Sequence, residues 1–272
     1  MAPGGGERIP SPAGPGREGA LPENPILETR DVTKRFDGFV AVSGVSYRLR
    51  EGEAAGLIGP NGAGKTTFFN LLTGMFPPSG GTVHFRGVDI TRCPPQERVT
   101  RGIVRTFQLV SVFDRLTVRE NLVLALVRFG DDYARKGRFF FSDIGRREVV
   151  DACGKALETV GLEARADRGT SSLSYGDKRK LEIALALALR PSVLLLDEPF
   201  AGLSDGEIAE ILALIRRVRS GISLVIIEHK ISRIVDLVSR LSVMHEGKLI
   251  ADGEPGKVIG DPLVRQVYWG RS

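Results

Sequence analysis

The order of apolar and polar residues near the start of the chain predicts an antiparallel sheet. Residues 26–32 and 39–49 have the composition of short strands, and Asp37-Gly38 between them is typical of a tight turn. Residues 80–87 predict another strand. We therefore expect an antiparallel β layer that precedes the core of the fold.

Later apolar runs predict a parallel sheet. Residues 54–58 are apolar, and residues 193–196 form an uninterrupted apolar run, as expected for a strand that is buried on both faces. From residue 193 onward a strand, a helix, a strand at 222–227 and a helix at 231–241 alternate. This alternation is the pattern of an α/β core.

The middle of the chain is predicted to be helical. Apolar residues recur at helical spacing in residues 118–127 and 146–160. A further helix starts near Ser174, a plausible N-cap, and places Leu181, Leu185 and Leu189 along one face.

The two dozen residues at the start differ from the rest of the chain. Residues 1–24 are rich in Gly and Pro, without periodicity or the apolar core of a signal peptide, so we expect a disordered tail. Residues 25–272 form the predicted folded domain. The most apolar long stretch, residues 181–196, is interrupted by Glu182, Arg190 and Pro191, whereas a membrane span needs about 20 apolar residues. Any membrane role should thus be peripheral.

Charge and cysteine content add little. The 38 Lys and Arg residues against 33 Asp and Glu give a net charge of +5, which permits contact with nucleic acid or an anionic membrane without demanding it. Cys93 and Cys153 lack the spacing of metal ligands, so we interpret them as structural thiols of a reduced, cytosolic protein.

One glycine-rich loop carries the first candidate chemistry. It lies between an apolar strand and a predicted helix, so its main-chain N–H groups and the helix N-terminus can surround a phosphate. Lys65 would neutralise phosphate charge, and the Thr66 hydroxyl would bind Mg²⁺. On its own the loop predicts only that the chain is a nucleoside triphosphatase that uses Mg²⁺, and its residues are Gly59, Pro60, Asn61, Gly62, Ala63, Gly64, Lys65, Thr66 and Thr67.

A second candidate site follows the strand at residues 193–197. Asp197 and Glu198 come at its carboxyl end, where α/β sheets place their ligands. Asp197 can hold Mg²⁺ through water, and Glu198 can polarise the water that attacks the terminal phosphate.

The order of five motifs identifies a family. They are the phosphate loop, Gln108 in Arg105-Thr106-Phe107-Gln108, the turn Leu173-Ser174-Tyr175-Gly176-Asp177, the Asp-Glu strand, and His229 after the next apolar strand. From about residue 26 to residue 270 the chain resembles the ATP-binding subunits of ABC transporters. Its motifs are most similar to those of the branched-chain amino acid importer group, and importers of urea and amides share many of them. Four further motifs carry this closer resemblance: Leu116-Thr117-Val118-Arg119-Glu120-Asn121-Leu122, Ala201-Gly202-Leu203-Ser204, Ile227-Glu228-His229 and Val267-Tyr268-Trp269-Gly270.

The resemblance implies a fold and site roles. The fold would be a P-loop NTPase of the ABC ATPase type, with a RecA-like parallel sheet core, an antiparallel β layer and an α-helical subdomain at about residues 109–190. Phe36 would stack on adenine, although packing within the sheet is the alternative. Gln108 would contact Mg²⁺ or the attacking water, and His229 the γ-phosphate. Ser174 and Gly176 would cap the γ-phosphate of ATP held by a second subunit.

Three residues depart from the commonest form of the family's motifs. The turn has Tyr175 and Asp177 where Gly and Gln are usual, and the loop after the Asp-Glu strand ends in Ser204 where Asp is usual. Ser174 and Gly176 are retained, so we expect activity. Ser204 puts in doubt a carboxylate role in communication across the dimer.

These features predict the ATP-hydrolysing subunit of an importer, peripheral to the cytoplasmic face of the inner membrane. Its expected partners are a second ATPase subunit, identical or a sister, permease subunits and indirectly a solute-binding protein, but no nucleic acid. The alternatives are urea or amide import, lipopolysaccharide-type export, and a soluble ABC protein of repair or translation. The last lacks support, because neither long coiled-coil insertions nor a second phosphate loop occur. The aromatic cluster at residues 139–141 is either packed in the helical subdomain or exposed to a partner.

Overall fold

The computed structural model describes residues 25–107, 110–129 and 143–269. Gln108, the predicted tail and the aromatic cluster at residues 139–141 lie outside the described residues. The strands are β1 (Leu27–Phe36), β2 (Phe39–Leu49), β3 (Ala54–Ile58), β4 (Gly80–Phe85), β5 (Val88–Asp89), β6 (Ile103–Arg105), β7 (Val193–Asp197), β8 (Ser223–Ile227), β9 (Arg240–His245) and β10 (Lys248–Gly253). The helices are α1 (Lys65–Thr73), α2 (Pro95–Thr100), α3 (Val118–Phe129), α4 (Asp143–Val160), α5 (Tyr175–Ala188), α6 (Asp205–Val218), α7 (Ile231–Ile234), α8 (Pro255–Gly260) and α9 (Pro262–Trp269).

The antiparallel layer is a four-stranded sheet in the order β2-β1-β4-β5. Phe36 pairs with Phe39, so Asp37 and Gly38 form the two-residue turn that the sequence predicts. Strand β4 pairs antiparallel with β1, which places the predicted strand at residues 80–87 in this sheet. Inward-facing side chains such as Val42, Val45 and Tyr47 are buried against the core.

The core is a six-stranded sheet in the order β10-β9-β3-β8-β7-β6, parallel except for the edge strand β10. Every residue of β3, β7 and β8 is buried, as their apolar runs require. Because these three strands are parallel, their carboxyl ends meet at one edge, where Asp197 is in register with Ile227. This edge therefore gathers the segments that follow β3, β7 and β8.

Helices α3, α4 and α5 share one hydrophobic cluster, in which Val118, Leu122, Leu157 and Leu181 are buried. Cys153 lies in the same cluster, and burial raises the pKa of its thiol to about 11. A thiol with so high a pKa stays protonated at neutral pH, as a structural cysteine does. None of the helices in the described part of the chain has the length and apolar character needed to span a bilayer.

The predicted helix at residues 231–241 is wrong. The helix ends at Ile234, and Arg240–His245 forms β9, which pairs parallel with β3. Ile231, Ile234, Leu237 and Val238 have helical spacing, but main-chain turns close the segment after Val238. The next residues, from Leu241 to Met244, are buried on both faces of the sheet, and this long-range pairing overrides local spacing.

Candidate functional site

The phosphate loop leads from β3 into α1, as the sequence predicts. Gly64 is the N-cap of α1 and has a φ of 98°, in the left-handed region that favours glycine. A Cβ atom on Gly64 would clash with the carbonyl oxygen of Ala41, and one on Gly59 with that of Met244. The loop thus packs directly against main chain of β2 and β9, which leaves no room for side chains at these two positions.

Lys65 points its ammonium group into this loop. The side chain is 5% exposed, and Nζ donates hydrogen bonds to the carbonyl oxygens of Gly59 (2.7 Å) and Pro60 (3.0 Å). Burial lowers the pKa of Lys65, whereas the nearby charges of Glu198 and Asp197 oppose that shift. A phosphate would offer this buried cation a full negative charge in place of neutral carbonyl oxygens.

The outer side of the loop faces solvent. Asn61, Gly62 and Thr66 are exposed, and Thr67 is partly buried. The first turn of α1, which the structure describes completely, carries no acidic side chain. The positive end of the helix dipole is therefore left available to an anion.

Asp197 is 1% exposed at the end of β7 and forms an ion pair with Arg105. Nη2 of Arg105 lies 2.5 Å from Oδ2 of Asp197, while Nη1 donates to Oδ1 of Asn70 at 2.5 Å. Oδ1 of Asp197 is buried and has no hydrogen-bond partner among the described residues. A buried carboxylate oxygen without a hydrogen-bond partner can accept hydrogen bonds from the water shell of Mg²⁺, so Asp197 fits the predicted metal.

Glu198 and His229 meet at the same sheet edge. Oε1 of Glu198 lies 2.5 Å from Nε2 of His229. Glu198 has a φ of 48°, an uncommon conformation for a side chain other than glycine, and its N–H donates to the carbonyl oxygen of Ile227 at 3.0 Å. The ends of β7 and β8 thus bring two of the three predicted catalytic side chains into contact.

Glu228, which is not among the predicted site residues, supports this arrangement. Its carboxylate accepts the N–H of Phe200 at 3.3 Å and the N–H of His229 at 3.2 Å. Burial raises the pKa of Glu228, and the hydrogen bonds from Phe200 and His229 oppose the shift. The sequence does carry a signal for this role, since Glu228 is a charged residue directly after the apolar strand β8.

Phe36 lies at the end of β1, on the antiparallel sheet. Its ring is 41% exposed and packs edge-on against Phe76, with the ring centres 5.4 Å apart. Nζ of Lys34 lies 5.1 Å from the centre of the Phe36 ring. The exposed part of the ring leaves the adenine-stacking hypothesis open, and the contact with Phe76 is the packing that the alternative predicts.

Ser174 and Gly176 are engaged within the chain. The Ser174 side chain caps α5 by accepting the N–H of Asp177 at 3.1 Å. The N–H of Gly176 donates to Oε1 of Glu207 at 3.0 Å. Among the described residues, neither Ser174 nor Gly176 makes a hydrogen bond to the phosphate loop, so the structure does not join this turn to the rest of the site.

Two of the residues that depart from the family motifs, Asp177 and Ser204, have structural partners in the fold. Asp177 is buried and forms an ion pair with Arg165. Ser204 is the N-cap of α6, and Glu207 completes a capping box with it. Ser204 and Gly176 therefore contact the same carboxylate, which links the loop before α6 to the turn before α5.

Comparisons with known proteins agree with the motif order. The sequence profile of the ABC transporter family matches residues 42–201. The high-affinity branched-chain amino acid transport ATP-binding protein BraF of Pseudomonas aeruginosa is 38% identical over 252 residues, covering 91% of this chain and 99% of that protein. The lipopolysaccharide export system ATP-binding protein LptB of Acidithiobacillus ferridurans is 35% identical, covering 90% of this chain and 97% of that protein.

A solved structure supports the fold. The crystal structure of an ATP-binding cassette of an ABC transporter in its ADP conformation has a TM-score of 0.79 and 34% sequence identity, covering 91% of this chain and 99% of that chain. The predicted fold class, a P-loop ATPase of the ABC type, is thereby confirmed. The chain belongs to the ABC transporter family, as one of its nucleotide-binding subunits.

Proposed function

We propose that this chain is the ATP-hydrolysing subunit of a membrane importer for branched-chain amino acids. The observation that carries the ATPase part is one sheet edge that joins the Lys65 loop, the buried Asp197 and the contact between Glu198 and His229. The cargo part rests on similarity alone, because no residue of this site would touch the solute.

The residues of the site divide the work. Lys65 would exchange its bonds to the carbonyl oxygens of Gly59 and Pro60 for bonds to the β- and γ-phosphates. Glu198 would orient and polarise the attacking water, and its contact with His229 would hold the carboxylate in place. His229 would also reach the γ-phosphate through its imidazole.

Thr66, Asp197 and Gln108 are the proposed residues that hold Mg²⁺. When bound, Mg²⁺ would neutralise charge on the phosphate oxygens during transfer to water. Asp197 supports this role through its unpartnered Oδ1, since Arg105 already occupies Oδ2. Thr66 supports it through its exposed position after Lys65.

The complete site would need a second ATPase subunit, identical or a sister. Ser174 and the N–H of Gly176 would cap the γ-phosphate of the ATP that the partner holds. Glu207 accepts that N–H in this chain, so it would have to give way to the phosphate. A carboxylate at the N-terminus of α5 occupies the kind of position that a phosphate prefers.

The similarity to transport ATP-binding proteins supports a cellular setting at a membrane. We place the chain on the cytoplasmic face of the inner membrane, bound to permease subunits and indirectly served by a solute-binding protein, and we expect no nucleic-acid partner. Residues 1–24 would be a tail and residues 109–190 the helical subdomain, which the common packing of α3, α4 and α5 supports. Phe36 would stack on adenine.

The second candidate function is lipopolysaccharide-type export, which the similarity to LptB favours.

Uptake of labelled solute tests the cargo. Deleting the gene should lower uptake of leucine, isoleucine and valine, and a plasmid copy of the wild-type gene should restore it. A plasmid copy that encodes Gln108→Ala should restore little transport, although the variant protein should still bind ATP, because Gln108 would couple the site to the permease. Unchanged uptake of the three amino acids in the deletion strain would contradict the cargo and leave the ATPase proposal standing.

A further inference from the structure

A buried ion pair on α5 holds the main chain of Phe107. Arg179 is 0% exposed and Glu182 is 5% exposed, and Nη1 of Arg179 lies 2.7 Å from Oε2 of Glu182. The N–H of Phe107 donates to Oε1 of Glu182 at 2.8 Å, and its carbonyl oxygen accepts from Nη1 of Arg179 at 2.8 Å. Both main-chain polar groups of Phe107, the residue directly before Gln108, are therefore held by one helix.

Stability alone is a poor reason for this pair. Taking two charges out of water is costly, and buried pairs can often be replaced by apolar residues without loss of stability. Burial raises the pKa of Glu182, although the charge of Arg179 and the Phe107 N–H oppose the shift. The feature that apolar residues could not supply is the fixed direction of the Phe107 main chain.

The same short segment reaches Asp197, the carboxylate that is proposed to hold Mg²⁺. Arg105 lies two residues before Phe107 and forms the ion pair with Oδ2 of Asp197. Between them, the Thr106 N–H donates to the carbonyl oxygen of Leu195 at 2.9 Å, and the Thr106 hydroxyl accepts from the Asp197 N–H at 3.4 Å. Residues 105–107 are thus held on one side by α5 and on the other by β7.

We propose that Arg179 and Glu182 are positioning residues for ATP hydrolysis. By fixing Phe107 they set where Arg105 meets Asp197. The inference rests on the proposed ATPase function and adds two residues to it. Because α5 begins at the turn with Ser174 and Gly176, the same helix would carry the contact to the partner's nucleotide and the support for the pair between Arg105 and Asp197.

The variant Glu182→Gln tests this role, with Glu28→Gln as the matched control. Glutamine retains an acceptor for the Phe107 N–H but loses the charge that holds Arg179. Glu28 is also a buried carboxylate with arginine partners, Arg30 and Arg48, but it belongs to the antiparallel sheet. For Glu182→Gln we expect kcat to fall about tenfold to hundredfold with the dissociation constant for ATP changed by less than about twofold, as expected when a reacting group is misplaced. Glu28→Gln should leave both values at those of the wild type.

Two further measurements separate positioning from stability. The double variant Arg179→Met/Glu182→Leu should unfold near the wild-type temperature and still show the low kcat, because Phe107 is 44% exposed and water can replace its two lost hydrogen bonds. In Glu182→Leu the Phe107 amide should exchange with solvent at least about tenfold faster, because it loses its acceptor.

The outcomes are distinguishable. Wild-type kcat in the double variant, or unchanged Phe107 exchange in Glu182→Leu, would overturn the positioning role. A loss of activity that only follows the fraction of folded protein would overturn it as well. A wild-type chain without ATPase activity would instead contradict the proposed function, and the exchange experiment would still test the hold on Phe107.

Discussion

Individual backbone conformations place the reactive groups of this site. Glu198 has a positive φ of 48° at the point where β7 ends, and its side chain meets His229 there. Non-glycine residues in this region carry a conformational cost that is typically found where function requires it. Gly64 reaches a comparable region without that cost, with a φ of 98° at the start of α1.

Replacing Gly64 by alanine should damage the phosphate site. The Cβ would clash with the Ala41 carbonyl oxygen, and the positive φ would cost about 1–3 kcal/mol. We expect a lower free energy of unfolding in urea and at least about tenfold weaker binding of a fluorescent ATP analogue. Gly206→Ala is the control, because a Cβ there meets nothing within 4 Å and alanine favours the helix. Equal behaviour of the two variants would contradict the tight packing of the loop.

At the scale of elements, buried charged side chains fix how helices meet the sheets. Arg98 on α2 donates to the carbonyl oxygens of Leu71 and Leu72 at the end of α1, and to those of Ile90 and Thr91. Burial lowers the pKa of Arg98 to about 10, so the side chain remains charged at neutral pH. One guanidinium thus ties the phosphate-loop helix to the segment after β5.

Loss of Arg98 should destabilise the whole domain. Arg98→Met leaves buried carbonyl oxygens without donors, and we expect the free energy of unfolding to fall by about 3 kcal/mol or more. Chemical denaturation measures this change. Arg101→Met, one turn later on the surface, removes only an exposed pair with Glu97 and should leave stability almost unchanged. A wild-type denaturation midpoint for Arg98→Met would show that these hydrogen bonds contribute little.

The link between α5 and α6 predicts how readily two subunits associate. Glu207 accepts the Gly176 N–H, and hydrogen bonds from Ser204 in particular keep its pKa low, so the carboxylate is charged. In a Glu198→Gln background, adding Glu207→Gln weakens this hold while retaining the capping preference of α6. In size-exclusion chromatography we expect this double variant to form dimers at a lower ATP concentration than Glu198→Gln alone, because Glu207 no longer competes with the phosphate for the Gly176 N–H. With ADP we expect monomers.

Glu210→Gln is the control for that experiment. Glu210 lies on the same helix and pairs with Lys180, away from the Gly176 N–H. A Glu207→Gln variant that needs more ATP than the control would mean that Glu207 supports the turn for association and does not compete with the phosphate. Should the chain stay monomeric with ATP in every variant, its partner would be a sister ATPase.

The whole molecule shows which features a sequence can predict. The phosphate loop and the Asp197-Glu198 strand were predictable, since each depends on neighbouring residues and on one apolar run. Strand β9 was not, because its place beside β3 depends on pairing between residues far apart in the chain. The residues that support the site were not predictable for the same reason. Arg98, Glu207 and the ion pair on α5 form hydrogen bonds with main-chain groups many residues away in the chain.

The two sheets and the helices around them form a site in which the chain would bind ATP and hydrolyse it with Glu198. The decisive experiment compares steady-state phosphate release and ATP binding between the purified wild type and Glu198→Gln. We predict that Glu198→Gln retains ATP while its turnover falls by about 10²–10³-fold or more, as for the loss of a key transition-state group. Lys65→Ala, in contrast, should lose binding itself. Turnover near the wild-type rate in Glu198→Gln would show that Glu198 does not activate the attacking water.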